Sequence, residues 1–166
     1  TLLPDSVPAF RYREGVDSLI VWGTGDPSLL YRNVYHTQAP LDFLLSRGKN
    51  IYLSTSNFMS THFGSGWAWD DYNDYYSAER SPFPVYGNII HVEGRGSTIT
   101  TTPSYFQQFV TYATAADKRG VIRNLDNNML TVYRPLNGRV SNDIPIRVSP
   151  DVTARLLSDA LGKPAT

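Results

Sequence analysis

Apolar positions along the chain follow two periods. DSLIVWG (Asp17–Gly23) is almost continuously apolar and ends at a glycine, which predicts a buried strand. In TQAPLDFLLSRGKN (Thr37–Asn50), Leu41, Leu44 and Leu45 recur on one face of a 3.6-residue period. Pro40 suits a first helical turn and Gly48 a stop, so a helix is predicted there, with NIYLS after it as a short strand. PVYGNIIHVEG and GSTITTT read as two more strands around a turn at Gly94–Gly96, and NMLTVYRPL and DIPIRV as another two. SPDVTARLLSDALGK predicts a final helix, with Ser149 as N-cap, Pro150 in the first position and a stripe of Val152, Leu156, Leu157 and Leu161. Residues 104–116 fit both periods. Tyr105, Phe106, Phe109, Val110 and Ala113 share a helical face, yet the aromatic and β-branched content suits a strand. Residues 1–17 carry two prolines and mixed charge, and read as an extended lead-in.

This order predicts an α+β fold: a mixed or antiparallel sheet, a few flanking helices, and more strand than helix. A length of 166 residues fits one domain or two small lobes. We expect one unit over 1–166, with a smaller second lobe around 98–145.

Composition narrows the function classes. Hydrophobic residues make up 41% and charged residues 18%, so the chain can bury a core. Fifteen basic and fifteen acidic residues cancel, which removes any general pull on nucleic acid. Cysteine is absent, which excludes disulfides and thiolate metal sites. No apolar run reaches the ~20 residues that span a bilayer. The chain opens at Thr1 without an initiator Met or a signal peptide, and is expected to be an excised or processed piece of something longer.

One segment stands apart. GWAWDDYNDYYSAERSPFPVYGN (Gly66–Asn88) concentrates two tryptophans, three aspartates and four tyrosines in a stretch without clear periodicity. Ordering so long an irregular segment costs entropy, so it is held for structure or for binding. Asp70, Asp71 and Asp74 offer carboxylates for glycoside hydrolysis, and Trp67 and Trp69 offer faces for sugar rings. The plainer reading puts one tryptophan in the core and the aspartates on loop amides.

Other candidate chemistry is thin. Ser46-Arg47-Gly48-Lys49 matches the Ser-x-x-Lys pair of serine acylases, but it falls at a helix end, where Gly48 breaks the turn that would return Lys49 over Ser46. Lys118-Arg119-Gly120 has no strand signal and reads as a solvated turn, and no Ser-x-Asn triplet occurs. His36, His62 and His91 lack metal-ligand spacing. No catalytic residue, metal site or cofactor is assigned.

The run Gly66-Trp67-Ala68-Trp69-Asp70-Asp71, with Tyr75-Tyr76-Ser77-Ala78 and Gly87-Asn88, resembles the GWxWDD…YYxA…N signature of the D-alanyl-D-alanine carboxypeptidases, the class C low-molecular-mass penicillin-binding proteins. Gly25-Asp26-Pro27-Ser28-Leu29 resembles that family's Gly-Asp-Pro-Thr-Leu turn. The helix, Gly48, strand and Ser56-Asn57-Phe58 are similar to its following stretch, although Ser54 or Thr55 stands where the family has Asp. Ile144-Pro145-Ile146, Pro150 and the last helix are similar to its return toward the catalytic domain. In the family these motifs lie between the Ser-x-x-Lys and Ser-x-Asn motifs, in inserted accessory lobes. The resemblance implies a non-catalytic inserted domain of a bacterial envelope or periplasmic serine carboxypeptidase. Its implied partners are the catalytic domain of the same parent chain and the peptidoglycan stem peptide. It implies Asp71 and Tyr76 as substrate contacts, with Gly66, Trp67, Trp69, Asp70, Gly25, Asp26, Pro27 and Asn88 as structural signature. A free-standing glycan- or peptide-binding module of the envelope is the alternative.

Overall fold

The computed structural model describes residues 8–33, 38–59, 61–95, 98–115, 117–133 and 138–166. The chain divides into two compact units. The first is built from residues up to His62, Arg80–Gly87 and Val148–Thr166; the second from Phe63–Glu79 and Asn88–Arg147.

The first unit is a small sheet with two helices. Strand β2 (Ser18–Gly23) is central, pairing antiparallel with β1 (Phe10–Glu14) and parallel with β3 (Asn50–Leu53). The apolar run of β2 buries Leu19, Val21 and Gly23, as a central strand requires. Ala165 and Thr166 extend the sheet beyond β3: Leu53 N–H donates to the Thr166 carbonyl at 2.6 Å, and Thr166 N–H to Ile51 at 3.0 Å. Helix α1 (Ala39–Ser46) carries Pro40 in its first turn and buries Leu41 and Leu44, while Leu45 faces solvent. Helix α2 (Pro150–Leu161) forms where its pattern predicts. The Ser149 hydroxyl accepts from Val152 N–H at 3.2 Å, and Leu156, Leu157 and Leu161 are buried. The Gly-Asp-Pro turn is an Asx turn, with Ser28 N–H donating to Asp26 Oδ1 at 2.9 Å. It is tied to the later segment by Gly25 N–H on the Pro82 carbonyl at 2.7 Å. Chain approach there is close enough that a Cβ on Gly23 would lie 2.0 Å from the Pro82 oxygen.

The second unit holds two three-stranded sheets. One has the order β5-β4-β9, all antiparallel, from β4 (Ile89–Arg95), β5 (Thr98–Thr102) and β9 (Arg139–Pro145). The other has the order β6-β8-β7, from β6 (Val110–Ala113), β7 (Gly120–Arg123) and β8 (Leu130–Tyr133). Ile90, Val92, Phe106, Val121, Leu130, Val132 and Ile144 fill the core.

Strand outweighs helix, and the fold is α+β. Three local expectations are corrected. The lead-in contains β1, because its polar residues face solvent on an edge strand. The ambiguous segment divides: Ser104–Phe109 is a 3-10 turn that buries Phe106, and β6 follows. Lys118 and Arg119 lie in the irregular loop before β7, but Gly120 already opens β7, whose apolar content is too short to register as a period. Gly96 and His36 lie outside the described residues.

Carboxamide side chains close the strand edges of this unit. Asn73 Nδ2 donates to the Val121 carbonyl at 2.9 Å, and its Oδ1 accepts from Arg123 N–H at 2.7 Å, so one side chain pairs with β7 as a neighbouring strand would. Gln107 does the same on β5, through Thr101 N–H and the Ile99 carbonyl, both at 3.0 Å. Asn128 takes both backbone groups of Arg147, at 2.8 and 2.9 Å. Asn73→Ala should therefore destabilise the second unit by about 1–3 kcal/mol, the cost of unpaired backbone groups. Urea unfolding followed by a probe in β7 or β8 measures it; an unchanged midpoint would count against the clamp.

Candidate functional site

The aromatic and acidic segment leaves the first unit after His62 and rejoins it at Arg80. Its neck is held by Arg80 N–H on the His62 carbonyl at 2.8 Å, and by the Arg80 guanidinium on the Thr61 carbonyl at 3.2 Å. Gly66 turns the chain at φ +83°, a conformation costly for residues with a Cβ. Two 3-10 turns follow, Trp69–Asn73 and Tyr75–Ser77, chained by Asp71 N–H on Ala68, Asp74 N–H on Asp71 and Ser77 N–H on Asp74. The many local bonds replace the periodic ladder that the sequence lacks.

The anchors of this loop are not its tryptophans. Trp69 is 77% exposed, and Trp67 is 39% exposed with its ring edge-on to Phe63 at 5.9 Å. The expectation that one of them fills the core is thus corrected. Asn73 and Tyr72 hold the loop instead, and Tyr72 does so through Arg123. Arg123 is 1% exposed. Its Nη1 donates to the carbonyls of Asn124, Leu125 and Asn127 at 2.6, 3.2 and 3.1 Å, and its Nη2 to Tyr72 at 3.3 Å. Its guanidinium also lies over the Tyr72 ring at 5.2 Å. Burial lowers its pKa, while the Glu79 charge opposes that shift. Glu79 is itself buried and bonded to Arg147 Nη1 at 2.8 Å. Asn88 Nδ2 donates to the Glu79 carbonyl at 2.8 Å, which gives that signature residue a structural task. Sequence reasoning missed Asn73, Glu79, Arg123, Asn128 and Arg147. The one available signal was an arginine directly after the apolar pair Val121–Ile122.

With the loop held from beneath, Asp70, Asp74, Tyr75 and Tyr76 face solvent and Asp71 is half-buried. Tyr76 Oη donates to Asp74 Oδ2 at 2.9 Å, and the Tyr75 and Tyr76 rings meet edge to face at 5.6 Å. The Asp74 hydrogen bond pushes the Tyr76 phenol up to about 12, with smaller contributions from desolvation and the Asp71 charge. The structure thus gathers Asp71, Asp74 and Tyr76 into one acidic, aromatic surface. Gly25, Asp26 and Pro27 belong to the other unit. Such a surface suits an ammonium group flanked by apolar carbon, through charge-assisted hydrogen bonds and ring contact.

Other candidates are engaged elsewhere. Ser46 Oγ donates to the Phe43 carbonyl at 2.8 Å, and Lys49 Nζ lies 2.9 Å from Glu14 and 2.5 Å from the Gly15 carbonyl. The first unit also contains a cavity of 1140 Å³ whose lining includes Leu53, Phe58, Phe83, Ser54, Ser149 and Ser158. Among the described residues no group of three His, Cys, Asp or Glu side chains is placed to hold a metal, and no helix is long and apolar enough to cross a membrane.

No family model and no curated protein matches the chain. Among solved structures, it is similar to penicillin binding protein 4 from Haemophilus influenzae, with a TM-score of 0.60 at 21% identity over 95% of this chain. The chain spans 41% of the length of that protein. Its fold is therefore one found within a penicillin-binding protein.

The geometry at Tyr76 gives a titration to measure. Its ring carbon signal should report ionisation near pH 12, and Asp74→Asn should bring that value down toward the ordinary 10. A phenol raised in the folded state contributes stability that is full below pH 10 and is lost as pH climbs through 12. An ordinary value in the unmodified chain would mean the hydrogen bond does not persist.

Proposed function

We propose that the chain is a non-catalytic accessory region of a serine D-alanyl-D-alanine carboxypeptidase of the penicillin-binding class, working on peptidoglycan in a bacterial envelope or periplasm. The nucleophile lies in the catalytic domain of the parent chain, and this region shapes the cleft and helps to select the peptide stem. The likeness to penicillin binding protein 4 supports the class, although fold alone does not carry function. The observation that carries the role is the loop surface. Asp71 stands beside Tyr76 on turns that Asn73 and Arg123 anchor from below. Asp71 meets the free amine of a diamino-acid side chain in the stem, and Tyr76 covers the neighbouring carbons. A site organised this way rejects stems that lack the charge, because its carboxylate loses a partner.

The exposure of Trp69 favours a second reading, a free-standing glycan- or peptide-binding module whose platform is Trp67, Trp69 and the tyrosines.

A titration separates these. The chain should bind a stem peptide with a free side-chain amine more tightly than the same peptide acetylated there. Asp71→Asn should remove that preference, by roughly tenfold, which corresponds to about 1.4 kcal/mol. Labelled penicillin should not attach covalently to this chain. Covalent attachment would refute the accessory role, and equal binding of both peptides would refute the role of Asp71. Tight binding of a peptide-free glycan, lost in Trp69→Ala, would establish the second reading.

A further inference from the structure

One face of the β5-β4-β9 sheet, buried at His91 and exposed at Arg95 and Arg139, carries three cross-strand rows. They are Thr102, His91 and Asp143; then Thr100, Glu93 and Ser141; then Thr98, Arg95 and Arg139. In the first two, His91 lies between two carboxylates. His91 Nδ1 lies 2.7 Å from Asp143 Oδ1, and His91 Nε2 lies 3.4 Å from Glu93 Oε2. The third row holds no carboxylate. Arg95 and Arg139 stand directly opposite each other in register, which brings their Cβ atoms within roughly 5 Å and sets like charges in a destabilising position. Both are exposed, and among the described residues neither side chain has a hydrogen-bond or ion-pair partner. Together with Glu93, Gly94, Thr98 and Thr100 they line a cavity of 400 Å³. Glu93, the carboxylate in that lining, is turned to His91. The Thr100 hydroxyl donates to the Glu93 carbonyl at 3.3 Å, and the Thr98 hydroxyl has no hydrogen-bond partner among the described residues.

We propose that Arg95, Arg139 and the Thr98 hydroxyl form a binding site for the phosphate group of a soluble ligand. Two guanidinium forks and a hydroxyl present more donors than the two oxygens of a carboxylate accept, whereas a tetrahedral phosphate offers an oxygen to each. The bound dianion removes the repulsion between the two arginines, so binding and sheet stability rise together. Nothing in this site depends on the role assigned to Asp71 and Tyr76.

The test is a titration of the chain with inorganic phosphate at constant ionic strength, followed by NMR and by thermal melting. Arg95, Thr98 and Arg139 should show saturable shifts. The melting temperature should rise more than in sodium chloride of equal ionic strength. Arg139→Gln should weaken phosphate binding at least tenfold. In phosphate-free, low-salt buffer the same variant should melt above the unmodified chain, because one of two opposed charges is gone. Equal phosphate responses in the variant and the unmodified chain would overturn the site, as would equal responses to phosphate and chloride. If Arg139→Gln does not fold, Arg95→Gln carries the same comparison.

Discussion

A buried guanidinium without a bonded carboxylate organises the second unit. Arg123 spends its Nη donors on main-chain oxygens: three from the turn after β7 and one from Tyr72. Each of those carbonyls would otherwise need water or another donor. One side chain thus fixes the shape of a turn and the position of the acidic loop at once. The Glu79 charge, held by Arg147, offsets part of the cost of burying the guanidinium. Removing a member of such a network leaves a buried charge uncompensated, which is worse than never having built it.

Asn73 completes the arrangement. By offering a donor and an acceptor at strand spacing, its amide substitutes for a neighbouring strand along β7. Gln107 and Asn128 repeat the device on other backbone edges. A sheet of three short strands gains closed edges this way, and the exposed rings above need no burial to stay in place. Loop rigidity and loop exposure, which usually oppose each other, coexist here because the supports lie on the inner side.

The regular elements were legible in the sequence for a physical reason. β2 and α2 bury enough apolar surface in one period to announce themselves, and Ser149 caps as its position implies. β1 and β7 were illegible because an edge strand of four or five residues has little apolar pattern to show. The loop misled in a different way. Its tryptophans suggested a core, yet its fixation comes from Asn73, Tyr72 and Arg123, whose polar side chains carry no periodic signal. Asp71 and Tyr76 were picked out by resemblance alone. The Asp74–Tyr76 hydrogen bond beside them could not be read from spacing, since it depends on the second 3-10 turn.

The return of Ala165 and Thr166 to β3 has a bearing on cooperativity. The first unit is assembled from three separated stretches, and Asn88–Arg147 lies between two of them. No contiguous fragment contains that unit without the other. To the first unit, a folded Asn88–Arg147 acts as a short spacer; if that stretch unfolds, the same bridge must close a long floppy loop, at a higher entropic cost. Damage to β4 or β8 is then felt at β3 through chain statistics alone.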